Sequence, residues 1–137
     1  MRRKEKFHPD ESPCPCGSGS PYAECCGCWH ADFQGGSLAP TAVALMRSRY
    51  CAYVLGLADY LLATWHPATQ PEEFSLPSVK WLGLEVLNFE STDDAGVVEF
   101  IARYREVGRA ASIHETSRFV REAGKWYYID GDLHADN

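Results

Sequence analysis

Two helical segments followed by four strand-like segments, with a cysteine-rich stretch ahead of them, predict an α+β fold that carries a small cysteine knuckle at its N-terminal side. Three observations carry this. Four thiols are packed into Cys14-Pro15-Cys16-Gly17-Ser18-Gly19 and Cys25-Cys26-Gly27. Helical periodicity is confined to the stretch between Thr41 and Trp65. After Pro77 the pattern changes to period two, in runs separated by turn residues.

The elements follow in order. Residues 1–12 are polar and read as a loose tail; residues 13–30 form the knuckle, and Gln34-Gly35-Gly36-Ser37 is a linker. This divides the chain into a tail and knuckle over 1–34 and a larger domain over 35–137. Thr41, after Pro40, is an N-cap. Val43, Met46, Tyr50, Tyr53, Val54 and Leu57 then recur at helical spacing and define one apolar face. Gly56 marks a break, and a second helix from Ala58 to about Trp65 stops before Pro67. Pro71 and Pro77 frame a loop. Strands are expected at 80–90, 96–106, 109–122 and 125–130, with turns at Ser91–Gly96, Val107-Gly108 and Glu122-Ala123-Gly124. In the second strand Val98, Phe100, Ala102 and Tyr104 face the core and Glu99, Arg103 and Arg105 face away. In the third, the apolar pattern turns Ala111, Ile113, Glu115, Ser117 and Phe119 inward, unless a bulge intervenes.

Two close thiol pairs joined by a short glycine-bearing loop make a compact tetrahedral cage, the donor set that Zn²⁺ takes at about 2.3 Å in closed structural sites. Gly17 and Gly19 allow the tight turns that aim amide N–H groups at sulfur. The expected ligands are Cys14, Cys16, Cys25 and Cys26, with Cys28 or His30 as alternatives to Cys26. Four protein ligands leave no position for water, so the zinc is expected to be structural. A disulfide framework would suit a secreted mini-protein. Met1-Arg2-Arg3-Lys4-Glu5-Lys6, however, leads into no apolar stretch of the kind a secretory signal needs. A reducing, cytoplasmic setting and a metal are the expectation.

Composition narrows the rest. At 137 residues, with 45% hydrophobic and 23% charged residues, the chain suits one core domain plus an appendage. Asp59 interrupts the most apolar stretch, so no membrane span is expected. A net charge of −6 argues against general DNA binding, which needs cations to neutralise phosphates. The local exception is Arg2, Arg3, Lys4 and Lys6 beside the knuckle.

The filled-in spacing, CPCGSGSPYAECCG, resembles the SEC-C motif. Leu45-Met46-Arg47-Ser48-Arg49-Tyr50, Thr64-Trp65-His66-Pro67, His114-Glu115 and Trp126-Tyr127-Tyr128 resemble the YchJ-like family of bacterial proteins. That resemblance spans essentially the whole chain. It implies a SEC-C zinc knuckle followed by a nuclear transport factor 2-like cone, in which a curved antiparallel sheet wraps a long helix and leaves a cavity. The motif is similar to the tail of the SecA translocation ATPase, which implies docking to a protein or ribosome surface.

Outside the knuckle, Arg47 shares a helical stripe with Val43, Tyr50 and Val54, and a guanidinium there needs a partner. Glu85, Glu99 and Glu115 are the candidates, and the alternative is an anion hook. Arg49 falls at the stripe's edge and reads as a surface residue. His66 at a helix end reads as a terminating residue. His114 and Glu115, adjacent on a strand, point to opposite faces and cannot share one site. Cys51 reads as a small buried hydrophobe, and Trp81, Trp126, Tyr127 and Tyr128 as core and cavity wall. Two function classes result. One is a non-enzymatic adaptor that docks through the knuckle. The other is a small-molecule-binding protein or enzyme using the cavity, with Arg47, His66, His114 and Glu115 as its polar groups.

Overall fold

The computed structural model describes residues 11–31, 33 and 38–134. The basic tail residues Arg2, Arg3, Lys4 and Lys6 and the Gln34–Ser37 linker lie outside them. A single 3-10 turn (Tyr22–Glu24) and a one-turn helix α1 (Gly27–His30) complete the knuckle. Helix α2 (Ala42–Leu55) and helix α3 (Ala58–Ala63) come next, followed by strands β1 (Lys80–Ser91), β2 (Ala95–Glu106), β3 (Arg109–Glu122) and β4 (Lys125–Leu133). The strands form one antiparallel meander in the order β1-β2-β3-β4.

Local chemistry sets these boundaries. Thr41 caps α2, its hydroxyl accepting from the Ala44 amide at 3.0 Å. Gly56 ends the helix at φ 78°, a left-handed conformation that costs glycine nothing. The β2–β3 and β3–β4 hairpins turn on Val107-Gly108 and Ala123-Gly124, with φ of 49° and 78° and of 53° and 81°. Positive φ at both central positions is the signature of a two-residue I′ turn, whose twist matches the strands.

Curvature comes from three register shifts. Leu82 and Leu87 are the extra residues of β1 against β2, and Ile129 is the extra residue of β4 against β3. Each bulge bends its strand and increases the local twist. The bulges fall on β1 and β4 and spare β3, so Ser117 and Phe119 are buried on the inner face and Glu115 lies on the same side. On β2, Val98 and Ala102 are buried and Glu99, Arg103 and Arg105 lie on the opposite face.

Helix α2 crosses the concave face, and its first turn lies against Gly96 of β2. A Cβ on Gly96 would stand 2.6 Å from the Ala42 Cβ, so only glycine permits this approach. The helix departs from the single-face expectation. Its buried residues are Ala42, Leu45, Met46, Ser48, Arg49, Tyr50, Cys51 and Ala52. They surround the helix because the sheet covers one side and the knuckle the other. Cys14, Cys16 and Cys26 belong to the same buried cluster as Leu45, Val98, Phe119 and Trp126.

Val107 is a β-branched residue held at positive φ and is 95% exposed, so its side chain gains nothing for the strain it imposes. Val107→Asn should stabilise the protein by about 1 kcal/mol, because asparagine tolerates the left-handed region. Urea unfolding of the two proteins checks this: an unchanged midpoint would mean that the hairpin carries no strain.

Candidate metal centre and cone cavity

The knuckle is a small closed loop. The Cys14 amide donates to the Ser20 carbonyl at 2.8 Å and the Tyr22 amide to the Ser12 carbonyl at 3.0 Å, pairing the two arms around Pro13 and Pro21. Between them Gly17 and Gly19 take φ of 84° and 91° and reverse the chain. The Cys25 and Cys26 step then enters α1, where Gly27 packs so closely beneath Tyr22 that a Cβ would clash with the Tyr22 carbonyl.

Four sulfurs converge inside this loop, those of Cys14, Cys16, Cys26 and Cys51, all within 4.8 Å of one another and all from buried residues. Tetrahedral coordination with bonds of about 2.3 Å has edges of about 3.8 Å, so four thiolates at this spacing fit one soft divalent ion. Cys51 comes from the middle of α2, and its Sγ lies 3.4 Å from that of Cys14. The sequence reading of Cys51 as a small buried hydrophobe holds for its burial and is corrected for its surroundings: it is fully buried, but among sulfurs. No spacing rule could have found it, since the polypeptide between residues 26 and 51 passes through the linker and most of α2.

Cys25 stands at the rim. Its Sγ is 3.7 Å from that of Cys16 and 3.1 Å from the Ser18 hydroxyl, and it is half-buried. Cys28 is exposed and its thiol donates to the Ala23 carbonyl. His30 is buried with both ring nitrogens engaged, one with the Tyr22 hydroxyl and one with the Ser48 carbonyl at 2.8 Å. Burial pushes its pKa down.

Proton sharing divides the buried thiols. Hydrogen bonds from Cys14, then from Cys26 and Cys51, drive Cys16 far below the ordinary thiol range. At Cys14 the bond with Cys16 raises the pKa while those from Cys26 and Cys51 lower it, leaving it at about 6. Cys26 and Cys51 are driven up by their bonds with Cys14 and Cys16. A cation would replace the shared protons and let all four ionise.

The second feature is a cavity of about 270 Å³ between α2 and the inner face of the sheet. Tyr50, Trp81, Phe100 and Phe119 supply apolar wall; Arg49, Tyr53, Trp65, Glu115, Ser117 and Tyr128 supply polar atoms. Arg49, not Arg47, is the buried cation. Its Nη1 donates to the Leu61 carbonyl at 2.8 Å and the Thr64 hydroxyl at 2.7 Å. Its guanidinium carbon lies 5.2 Å from the Trp65 ring centroid and 4.7 Å from that of Tyr128. Burial lowers its pKa, and the aromatic faces supply part of the stabilisation that water would otherwise give. Glu115 accepts from the Ser117 hydroxyl at 2.5 Å and the Tyr128 hydroxyl at 3.5 Å. The bare Cα of Gly131 leaves room for this carboxylate. Among the described residues, the Trp65 indole N–H is a buried side-chain donor with no acceptor.

The other expected residues lie elsewhere. Arg47 is half-buried, and its Nη1 donates to the Cys16 carbonyl at 3.0 Å, so it fastens the knuckle instead of pairing with a sheet carboxylate. The helical-wheel assignment failed because the knuckle, not the sheet, covers that side of α2. Glu85 pairs with Arg103 on the outer face. His66 bonds Glu122 at 2.8 Å and accepts from the Ala68 amide, so it braces β3 instead of capping α3. His114 sits on the outer face, 2.7 Å from Glu99 and stacked on His134, away from Glu115 as strand alternation requires. Of the four cavity residues expected, Glu115 alone lines the cavity; Arg49, Tyr53, Trp65 and Ser117 were missed as polar groups. Arg49 was legible in principle, because Leu45, Met46, Arg49 and Ala52 form an alternative helical stripe. Tyr22 and Trp29, the knuckle's aromatic residues, are half-buried and packed against the core.

Comparison with known proteins matches this architecture. The YchJ middle NTF2-like domain matches residues 41–131 and the SEC-C motif residues 12–27. The chain belongs to the YchJ-like family. Members similar to it include the UPF0225 protein of Bordetella bronchiseptica, 51% identical over 135 residues that cover 93% of this chain and 98% of the relative. The UPF0225 protein of Chromobacterium violaceum is 56% identical over 125 residues, covering 86% of this chain and 90% of its own. The solution structure of a SEC-C motif-containing protein from Rhodopseudomonas palustris superposes with a TM-score of 0.79 at 36% identity, covering 90% of this chain and 100% of that one. A crystal structure of a SEC-C motif-containing protein from Psychrobacter arcticus gives 0.76 at 27% identity, covering 94% and 86%. In this chain the cysteine motif precedes the cone; among the described residues no helix is long and apolar enough to cross a membrane.

The exchange of roles between the two arginines is measurable. Arg49→Ala removes two charge-assisted hydrogen bonds and should cost about 3 kcal/mol or more. Arg47→Ala removes one at a half-exposed position and should cost about 1 kcal/mol. Comparable losses in chemical denaturation would contradict this assignment.

Proposed function

We propose that this protein is a zinc-braced, non-enzymatic receptor for a small planar molecule held in the cone cavity. One observation carries the reading: a buried guanidinium and an indole N–H without an acceptor belong to the same aromatic-lined cavity. Unsatisfied donors in an apolar wall are costly unless a ligand oxygen reaches them. Flat aromatic walls suit a ring, and the donors suit a carbonyl or carboxylate on it. The pocket's own carboxylate, Glu115, is already bonded to Ser117 and Tyr128, and His66 and His114 lie outside, so binding is favoured over proton transfer.

Zinc is the metal best suited to four buried thiols, since it takes sulfur tetrahedrally and undergoes no redox change. A reducing compartment such as the cytoplasm would keep those thiols available. A second reading, docking of a protein or ribosome through the knuckle, draws on the SEC-C match and on the exposed hairpin tip over residues 17–20. The inward packing of Tyr22 and Trp29 leaves the knuckle less aromatic surface for such a contact.

A thermal-shift screen of planar aromatic carboxylates and carbonyl heterocycles should raise the unfolding midpoint. Ile113→Trp, which fills the cavity from β3, should keep the fold and abolish the shift. Failure of every such compound, or an equal shift in Ile113→Trp, would overturn the receptor reading. The protein should also carry one zinc per chain and release it as pH falls, because protons compete for the thiolates. Because the thiols share the core with Val98 and Phe119, stripping the metal should lower the midpoint of the cone along with the knuckle. A midpoint indifferent to chelator would rule out a structural metal.

A further inference from the structure

We infer that Cys51, a residue of the cone's central helix, is the fourth metal ligand, and that Cys25 of the cysteine motif stays outside the coordination sphere. This rests on the metal reading above. The argument begins from distance. Cys14, Cys16, Cys26 and Cys51 are the thiols whose sulfurs all approach one another within 4.8 Å, and Cys25 is not in that set. It continues with burial. Cys51 is fully buried, whereas Cys25 is half-buried at the rim. Cys25 also has a polar partner of its own, the Ser18 hydroxyl at 3.1 Å, so it has less need of a metal.

Chain geometry supports the same choice. Cys25 and Cys26 are adjacent, and Cys26 points inward from the start of α1. Two neighbouring residues at a helix start diverge around the axis, so one can face the centre while the other faces the rim. Cys51 comes from α2, outside the motif, and its Sγ lies 3.4 Å from that of Cys14, so it supplies the fourth sulfur of the set. The surrounding contacts are already built for this junction. Arg47, one turn before Cys51, donates to the Cys16 carbonyl, and Ser48 accepts from His30. Metal, guanidinium and imidazole then join the same two bodies.

The consequence is a change in what the metal does. With Cys51 as ligand, the ion fixes the motif to the helix that forms the cavity's wall, where Met46, Arg49, Tyr50 and Tyr53 are placed. Metal loss would then loosen the cavity as well as the knuckle.

Cadmium-113 tests the ligand set without substitution. The protein is loaded with one equivalent of ¹¹³Cd²⁺, and through-bond correlations are recorded between the metal and cysteine β protons. Correlations to Cys14, Cys16, Cys26 and Cys51, with none to Cys25, are expected. Correlations to Cys25 and none to Cys51 would overturn the inference while leaving the metal centre intact. Failure to take up cadmium or zinc would overturn both. Cys25→Ser should retain full stoichiometric zinc and an unchanged ¹¹³Cd correlation pattern; loss of either would count against the assignment.

Discussion

Helix α2 lies between two partners, and the contact on its knuckle side is made by sulfur. Three thiols of the N-terminal loop meet Cys51 at the helix centre, and one turn earlier Arg47 bonds the Cys16 carbonyl and the Ser48 carbonyl bonds His30 of α1. A loop of this size cannot bury enough apolar surface to order itself. Its order comes from the shared cluster, in which Cys14, Cys16 and Cys26 pack with Leu45, Val98 and Phe119. The same helix supplies Met46, Arg49, Tyr50 and Tyr53 to the cavity wall, so the junction and the cavity share one element.

The opposite side of the same helix carries different physics. Arg49 is held between Trp65 and Tyr128 and anchored on α3 through Leu61 and the following Thr64. The Thr64 carbonyl accepts from the Tyr128 amide, whose own carbonyl accepts from His66, so the end of α3 is laced to β4. This cation forms part of the cavity wall, and its hydration is replaced by carbonyl, hydroxyl and π contacts. Glu115 stands in the same cavity and accepts from two hydroxyls. Polar groups are thus spaced around an aromatic chamber without closing on one another.

The sheet's shape allows both arrangements. Bulges at Leu82, Leu87 and Ile129 curve the outer strands, while β3 stays in register and presents Glu115, Ser117 and Phe119 inward. Gly96 and Gly131 supply the two close approaches, one to Ala42 and one to the Glu115 carboxylate. Outer-face residues such as Arg118, with Asp130 and Asp132, are solvated pairs that contribute little to stability.

Local pattern was enough to read the α+β class, the N-cap at Thr41, the stop at Gly56, the four strands to within a few residues, and the inward side of β3. Each is set by near neighbours: a side-chain cap, a positive φ, or the alternation of a pleat. The separation of His114 from Glu115 was legible for the same reason. Tertiary structure decided what local pattern cannot encode. Cys51 meets the N-terminal thiols because α2 is covered on its second side, and no sequence spacing records that contact. The same cover exchanged the roles of Arg47 and Arg49 and turned Tyr22 and Trp29 inward. A helix wheel shows which residues share a face. Which face meets a sheet and which meets a sulfur cluster depends on segments distant in sequence, and only their packing together determines it.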